Sequence, residues 1–220
     1  MMIGDCERVQ TSWFRAQAEV LGGGSWEDGG LSWTDSSEGC YLMFPGELDA
    51  AAVRRGVEEA RARGRASVGA WLNLGVDASV LGECGFERGW TIRWMAASLA
   101  AVAEGGDGGG GGDGRIELQS DTFDYSGEHA DYRDLLALAR REPQVAWYAA
   151  AYTQPAASDR PRRFAGRAWS YYDGGPHGIA GVFDMAVWPP FRRRGLGTGL
   201  LRTVCAAAQK AGASQVMLNA

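Results

Sequence analysis

The last third of the chain has an apolar run of strand length, followed by an apolar pattern of helical period. The run extends from Ile179 to Val187 and is broken by Trp188-Pro189-Pro190-Phe191. Beyond it, Leu200, Val204 and Ala208 recur on one stripe, which is typical of an amphipathic helix. The pattern therefore predicts a strand, a short break and a helix.

The segment between these two elements, Arg192 to Gly199, contains three arginines and three glycines. At a helix start the first backbone amides have no intrahelical partner and the macrodipole is positive, so an anion is stabilised there. Glycine at 195 and 197 leaves room for a phosphate to reach the backbone. The segment has neither the Gly-Lys-Ser/Thr ending of a nucleotide P-loop nor the Gly-x-Gly-x-x-Gly of a dinucleotide site.

The same patterns predict the rest of the second half, with proline- or glycine-containing loops between antiparallel strands. This order favours an α/β (α+β) fold with a mixed, mostly antiparallel sheet flanked by helices. The predicted elements are a strand at Ile116–Leu118, a helix at Tyr132–Arg141, strands at Val145–Thr153, Phe164–Tyr172 and Ile179–Val187, the helix after Gly195, and a strand at Gln215–Asn219.

Arg192, Gly195 and Gly197 match the pattern Arg/Gln-x-x-Gly-x-Gly/Ala. The segment thereby resembles the acetyl-CoA loop of the GNAT family of N-acetyltransferases. The resemblance extends upstream through Asp184–Pro189, which is similar to the family's fourth strand with its Val-x-Pro exit, and downstream to Gln215–Asn219. It implies acetyl-CoA as cofactor and transfer of an acetyl group to a primary amine of a small molecule.

The resemblance also implies a set of cofactor-binding residues. Backbone amides of Met185 and Val187 are expected to pair with the pantetheine arm and polarise the thioester carbonyl. Asn219 is expected either to touch the cofactor from the next strand or merely to end that strand. The full implied set is Met185, Ala186, Val187, Arg192, Arg193, Arg194, Gly195, Leu196, Gly197, Thr198, Gly199 and Asn219.

Asp184 is the candidate general base, because an amine that attacks a thioester must be neutral. Strand alternation puts it on the same face as Val182 and Ala186, where an apolar wall would favour its protonated form. The alternative is that Asp184 faces solvent or pairs with an arginine.

Acidic and aromatic residues before the first helix of the second half suggest the acceptor side, since they suit a cationic amine. The alternative is a solvated helix face. From this segment we take Asp121, Asp124 and Tyr125 as candidate acceptor-binding residues.

A glycine-rich linker at residues 105–114 divides the chain into residues 1–104 and residues 115–220. The first part repeats the order of the second, which indicates two GNAT-like units in tandem; the alternative is that ordinary strand–helix–strand units look alike. Pro45-Gly46-Glu47 stands where the phosphate loop would be and Leu81 where the family has a tyrosine, so we interpret this part as a degenerate domain lacking the CoA loop. Its predicted elements are Cys40–Phe44, Asp49–Arg63, Val68–Asn73, Ala78–Gly85 and closing strands within Phe86–Met95.

The second part stops at Ala220 without the family's closing helix and strands. Three explanations are open. The natural chain is longer, which we favour; the first half donates closing strands; or two chains exchange them as a homodimer.

The composition also bears on the protein's binding partners, location and source. A net charge of −5 disfavours non-specific nucleic-acid binding. The four cysteines lack metal-ligand spacing, no window is apolar enough for a membrane helix and no secretory signal is evident, so we expect no metal and a cytoplasmic protein. Lys210 is the only lysine in an arginine- and alanine-rich chain, which suggests a bacterial source. The alternative function is a non-catalytic acetyl-CoA sensor or scaffold.

Overall fold

A computed structural model of the chain describes residues 3–36, 39–104, 114–118, 133–153 and 163–219. Within these ranges the helices are α1 (Ile3–Val20), α2 (Ala50–Ala62), α3 (Ser79–Glu83), α4 (Leu99–Glu104), α5 (Arg133–Arg141) and α6 (Leu196–Lys210). The strands are β1 (Gly24–Asp28), β2 (Leu31–Ser36), β3 (Gly39–Met43), β4 (Val68–Trp71), β5 (Trp94–Ser98), β6 (Gly114–Leu118), β7 (Ala146–Thr153), β8 (Arg163–Tyr171), β9 (Ile179–Val187) and β10 (Gln215–Asn219).

The chain divides into two compact units. Residues 10–91 form one, here the N-terminal unit, and residues 1–9 with 92–220 form the other, the C-terminal unit. The sequence-based division after residue 104 differs from this one, because residues 92–104 group with the C-terminal unit. α1 and the hairpin β1–β2, which contribute to the N-terminal unit, were not predicted from the sequence.

The N-terminal unit is built on a four-stranded sheet in the order β1-β2-β3-β4. Its first three strands are antiparallel, and β4 returns parallel to β3 after α2. The apolar face of α2 buries Val53 and Ala60 completely, as its spacing predicts. Gly56 lies on that face because a β-carbon there would collide with the buried indole of Trp33.

The C-terminal unit is built on a six-stranded sheet in the order β5-β10-β9-β8-β7-β6. β10 is parallel to β9 and the other neighbouring pairs are antiparallel. α6 lies across β6 to β9 and buries Leu200, Val204 and Ala208 completely. Full burial of an aliphatic side chain such as Leu200 stabilises the fold by about 1.5–3 kcal/mol. The prediction of a mixed, mostly antiparallel sheet flanked by helices is confirmed.

Strand β5 covers the outer edge of β10 in the C-terminal unit. The two strands pair antiparallel, from Gln215 opposite Ser98 to Asn219 opposite Trp94. The closing strands predicted within Phe86–Met95 differ from this, since residues 86–93 form no strand and β5 begins only at Trp94. The sequence left three explanations open for how this edge of the sheet is covered. The structure shows that β5, a strand that precedes the glycine linker, lies on β10 of the same chain.

Helix α4 comes directly after β5 and fastens it to the core of the C-terminal unit. Leu99 is buried in the cluster that contains Val204 and Ala208 of α6. Its amide donates to the carbonyl of Ser214 at 3.0 Å, just before β10. β5 is therefore held by helix packing as well as by the strand ladder.

Candidate active site

A β-bulge interrupts strand β9 at Asp184. Arg167 of β8 lies opposite Ala186, whereas Trp169 lies opposite Phe183, so three steps along β9 oppose two along β8. The extra residue is accommodated with Asp184 at φ 46°, a left-handed conformation that is uncommon outside glycine. Such local strain clusters at functional sites.

The bulge changes which side chains share a face. Val182 is buried, whereas the Asp184 side chain is 40% exposed and Met185 is also exposed. The expectation that Asp184 shares an apolar wall with Val182 is therefore wrong, because the inserted residue breaks the alternation on which it depended.

The carboxylate of Asp184 is paired with the guanidinium of Arg167 in a two-point contact. Nε donates to Oδ2 at 2.9 Å and Nη2 donates to Oδ1 at 3.0 Å. The Arg167 side chain is 15% exposed, and its guanidinium lies 5.1 Å from the ring centroid of Trp188. The structure thus shows the arginine-paired alternative for Asp184 and adds Arg167, which sequence reasoning missed.

Strand β9 is longer than its pairing with the described residues of β10. Their pairing runs from Ile179 opposite Gln215 to Val182 opposite Leu218, and β9 then continues to Val187. Among the described strands none pairs with residues 183–187 on the β10 side. Backbone groups of Met185 and Val187 therefore have no partner strand on that side among the described residues, and an extended ligand can form strand-like hydrogen bonds with them.

A short 3-10 turn at Pro189–Phe191 links the end of β9 to helix α6. Phe191 is buried in the core and anchors the turn. The next arginines are directed back onto this turn: Arg192 Nε donates to the Val187 carbonyl at 3.0 Å, and Arg194 Nη2 donates to the Pro190 carbonyl at 3.4 Å. Arg193 takes φ 63°. Three exposed guanidinium-bearing residues thus surround the start of α6.

The N-terminus of α6 carries no side-chain cap. Its N-cap residue is Gly195, at φ 76°, and the first amide to donate within the helix is that of Gly199, to the Gly195 carbonyl at 3.0 Å. The amides of Leu196, Gly197 and Thr198 precede it in the first turn, where intrahelical acceptors are lacking. This end of the helix combines unshielded donors with positive side chains, which suits a phosphate or pyrophosphate.

The glycines of this turn differ in what surrounds them. A β-carbon on Gly197 would meet only Val187 Cγ2, at 3.8 Å, so the fold itself has room for a side chain there. A β-carbon on Gly199 would collide with Ile116 of β6, and the Gly199 amide is already used within the helix. Gly199 is therefore packed against Ile116, and its role in cofactor binding stays a prediction.

The remaining predicted site residues are two half-buried positions on the central strands and three residues of the acceptor segment. Ala186 is half-buried opposite Arg167 in the ladder, and Asn219 is half-buried at the end of β10, one residue beyond its last pairing with β9. Asp121, Asp124 and Tyr125 lie outside the described residues. Within the described part of the chain no cluster of His, Cys, Asp and Glu could hold a metal ion. No helix in that part is long and apolar enough to span a membrane.

The buried thiols are poor nucleophiles. Burial raises the pKa of Cys205 to about 11, and burial together with the nearby Asp35 raises the pKa of Cys40 to about 12. Because the thiolate is the reactive form, neither residue suits a covalent acyl intermediate.

Residues 114–220 match the sequence model described as the acetyltransferase (GNAT) family. This part of the chain belongs to the GNAT family. No curated protein matches the sequence significantly.

Solved structures agree with this membership at the level of the fold. A GCN5-related N-acetyltransferase from Kribbella flavida superposes with a TM-score of 0.56 at 14% identity, covering 98% of this chain and 84% of that one. A tandem GNAT protein from the clavulanic acid biosynthesis pathway gives 0.53 at 13% identity, covering 97% and 86%. A GCN5-related N-acetyltransferase from Sphaerobacter thermophilus gives 0.54 at 16% identity, covering 87% and 67%. At these identities the likeness concerns the fold alone.

Proposed function

We propose that the GNAT domain transfers an acetyl group from acetyl-CoA to the amine of a small molecule. The observation that carries the proposal is the adjacency of two features along the chain: an uncapped, arginine-flanked helix start, and the end of β9, which pairs with no described residue on its β10 side. The first suits the pyrophosphate of a CoA ester, and the second suits its extended pantetheine arm. Seven residues, Trp188 to Arg194, lie between the end of β9 and the N-cap residue Gly195.

Each part of the donor meets groups that match its chemistry. The amides of Leu196, Gly197 and Thr198 face the pyrophosphate, and the exposed arginines Arg192 to Arg194 add positive charge. The backbone of Met185 and Val187 pairs with the amides of the arm. A backbone N–H at the bulge is then placed to donate to the thioester carbonyl oxygen as it gains negative charge.

Asp184 is the proposed base, acting directly or through a water. Its carboxylate accepts a proton from the acceptor's ammonium group, and the neutral amine attacks the thioester carbon. A C–N bond forms, the C–S bond breaks, and the proton released in the reaction balances the CoA thiolate. Overall, an ammonium and a thioester give an amide, free CoA thiol and one proton.

The test is calorimetric titration of the full chain with CoA, followed by a thiol assay for CoA release from acetyl-CoA with a panel of small amines. Micromolar binding and amine-dependent release are expected. Tight binding without release with any amine would favour the sensor or scaffold function. Absence of CoA binding would overturn both.

A further inference from the structure

The Arg167–Asp184 ion pair lies at the bulge where the proposed acceptor amine must arrive. It presents one positive and one negative group side by side, and both contacts are made through charged, hydrogen-bonding atoms. The Asp184 side chain is 40% exposed, so the pair is open to an incoming molecule. Any role of this pair in acceptor recognition rests on the proposed function, because it concerns the acceptor of that same reaction.

The other arginines at this end of the C-terminal unit are engaged differently in the structure. Arg192 and Arg194 donate to backbone carbonyls, and the guanidinium of Arg163 lies over the ring of Phe191 at 5.3 Å. Arg167 is set apart by already holding a carboxylate in a two-point contact, the geometry in which guanidinium recognises carboxylates. Its position over Trp188 keeps the guanidinium oriented while that partner is exchanged.

We propose that the acceptor is an amino carboxylate, such as an α-amino acid, and that it separates this ion pair by binding one residue with each of its two charged groups. The acceptor carboxylate takes the guanidinium of Arg167, and the acceptor ammonium takes the carboxylate of Asp184. Neither protein charge is left unpaired, because each receives a new partner of the same sign as the old one. A partly exposed ion pair contributes only a factor of about five or less to an equilibrium, so its opening is easily offset by two new charged contacts.

The exchange also prepares the chemistry. In the structure both oxygens of Asp184 accept from Arg167. Once the acceptor carboxylate occupies the guanidinium, these oxygens are available to the ammonium and can take its proton. The neutral amine then forms the C–N bond as the C–S bond breaks, giving an amide, free CoA thiol and one proton. An amine without a carboxylate cannot release Asp184 in this way.

The test compares binding of three matched probes to the full chain saturated with CoA. L-Phenylalanine carries both groups, phenethylamine lacks the carboxylate and 3-phenylpropanoate lacks the amine; other L-amino acids, β-alanine and their decarboxylated or deaminated partners extend the series. By calorimetry or ligand-observed NMR, at least one amino carboxylate should bind about tenfold or more tightly than both of its partners. Equal binding of the decarboxylated amine, or no binding by any amino carboxylate, would overturn the inference.

Variants test whether Arg167 causes the preference for a carboxylate-bearing probe. Arg167→Met should remove the preference for the carboxylate-bearing probe, whereas Arg167→Lys should retain part of it. Arg163→Met is the matched control, since it removes a nearby guanidinium that does not contact Asp184, and the preference should persist. If Arg167→Met does not fold, the comparison of probes on the unaltered protein still decides.

Failure of this inference is distinguishable from failure of the proposed function. CoA binding, and CoA release with any amine, with or without a carboxylate, test the latter. Release that is as fast with phenethylamine as with every amino acid would retain the acetyltransferase and overturn the amino-carboxylate acceptor.

Discussion

Two helices of this chain start after a strand and lead into a parallel strand, yet their N-termini differ. α2 is capped by Asp49, whose side chain accepts from the Ala52 amide at 2.8 Å. α6 starts at Gly195 in a left-handed conformation and has no side-chain cap. In the first case the chain supplies its own anion to the positive helix end, and in the second that end is open to a ligand.

The strands beside these helices differ in how far they pair with the next strand. β3 pairs with β4 from Cys40 to Met43, and the ladder is extended by the Phe44 amide, which donates to the Trp71 carbonyl at 2.9 Å. β9 instead continues past its last partner on β10. One order of elements therefore gives a helix capped by its own chain in the N-terminal unit and a helix without a side-chain cap in the C-terminal unit. This contrast supports our interpretation that the N-terminal unit is a degenerate copy without a CoA site.

The largest effect is expected from filling the open helix end. Gly197→Trp should lower CoA affinity roughly a hundredfold or more, because a bulky side chain would displace the pyrophosphate from at least two charge-assisted hydrogen bonds. The fold has room for a β-carbon there, since only Val187 Cγ2 would lie within 4 Å. Calorimetry with CoA measures the loss.

Gly46→Trp is the matched control in the N-terminal unit, where a β-carbon would meet nothing within 4 Å. Its CoA affinity should equal that of the unaltered protein. If instead Gly197→Trp binds normally and Gly46→Trp does not, the two units have been assigned the wrong way round.

The second-largest effect is expected from removing the proposed base. Asp184→Asn should lower kcat/KM by roughly a hundredfold or more while CoA affinity changes little, as is typical when a general base is lost. Asparagine tolerates left-handed backbone conformations, so the bulge should be retained. Steady-state CoA release across a pH series measures the change.

Asp173→Asn provides the control for Asp184→Asn. Asp173 also pairs with an arginine, Arg8, but lies at the turn that precedes β9, away from the bulge. It should leave kcat/KM nearly unchanged. A normal rate for Asp184→Asn at every pH would exclude Asp184 as the base.

The start of α6 was predicted well from the sequence, whereas the bulge in β9 was not predicted. Glycines, arginines and helical periodicity are local signals, and they placed the helix start among the glycines of the Arg192–Gly199 segment, where α6 begins. The bulge has no comparable signal, because aspartate only tolerates the conformation that Asp184 adopts. Without the bulge the register between β8 and β9 is wrong, so Arg167 could not be recognised as the partner of Asp184.

Strand β5 was misplaced for a different reason. Its pairing with β10 joins residues on opposite sides of the glycine linker, and such a long-range contact leaves no trace in periodicity. The aromatic and β-branched residues that suggested closing strands lie mainly at 86–93, where the structure has no strand. Strand propensity identified the neighbourhood but not the residues that pair.

A smaller effect is expected from the buried thiols of the two units. Below about pH 9 the thiols are protonated in the folded and unfolded states, and stability is at its full value. Above it the unfolded chain loses the Cys205 proton while the folded chain retains it until about pH 11, so stability falls by about 1.4 kcal/mol per pH unit in that window. For Cys40 the window extends to about pH 12, because Asp35 adds to burial.

Urea unfolding at pH 8 and pH 10 measures this loss as a difference between variants. Between these two pH values Cys205→Ala and Cys40→Ala should each flatten the alkaline decline by a similar amount. Cys84→Ala is the control, since Cys84 is not fully buried. Equal alkaline declines in all four proteins would contradict the assignment of the decline to buried thiols.

The smallest effect comes from removing the cap of α2. Asp49→Ala should destabilise the N-terminal unit by about 1 kcal/mol, because the Ala52 amide loses its acceptor. Asp49→Asn, which retains an acceptor, should be nearly neutral, and CoA affinity should be unchanged in both.

The informative measurement is the stoichiometry of CoA binding to Asp49→Ala. An exposed helix end alone should not create a site, because β3 and β4 remain paired and leave no opening for the pantetheine arm. A second equivalent of bound CoA would show that the uncapped helix is sufficient and that a neighbouring strand with one unpartnered side is not required.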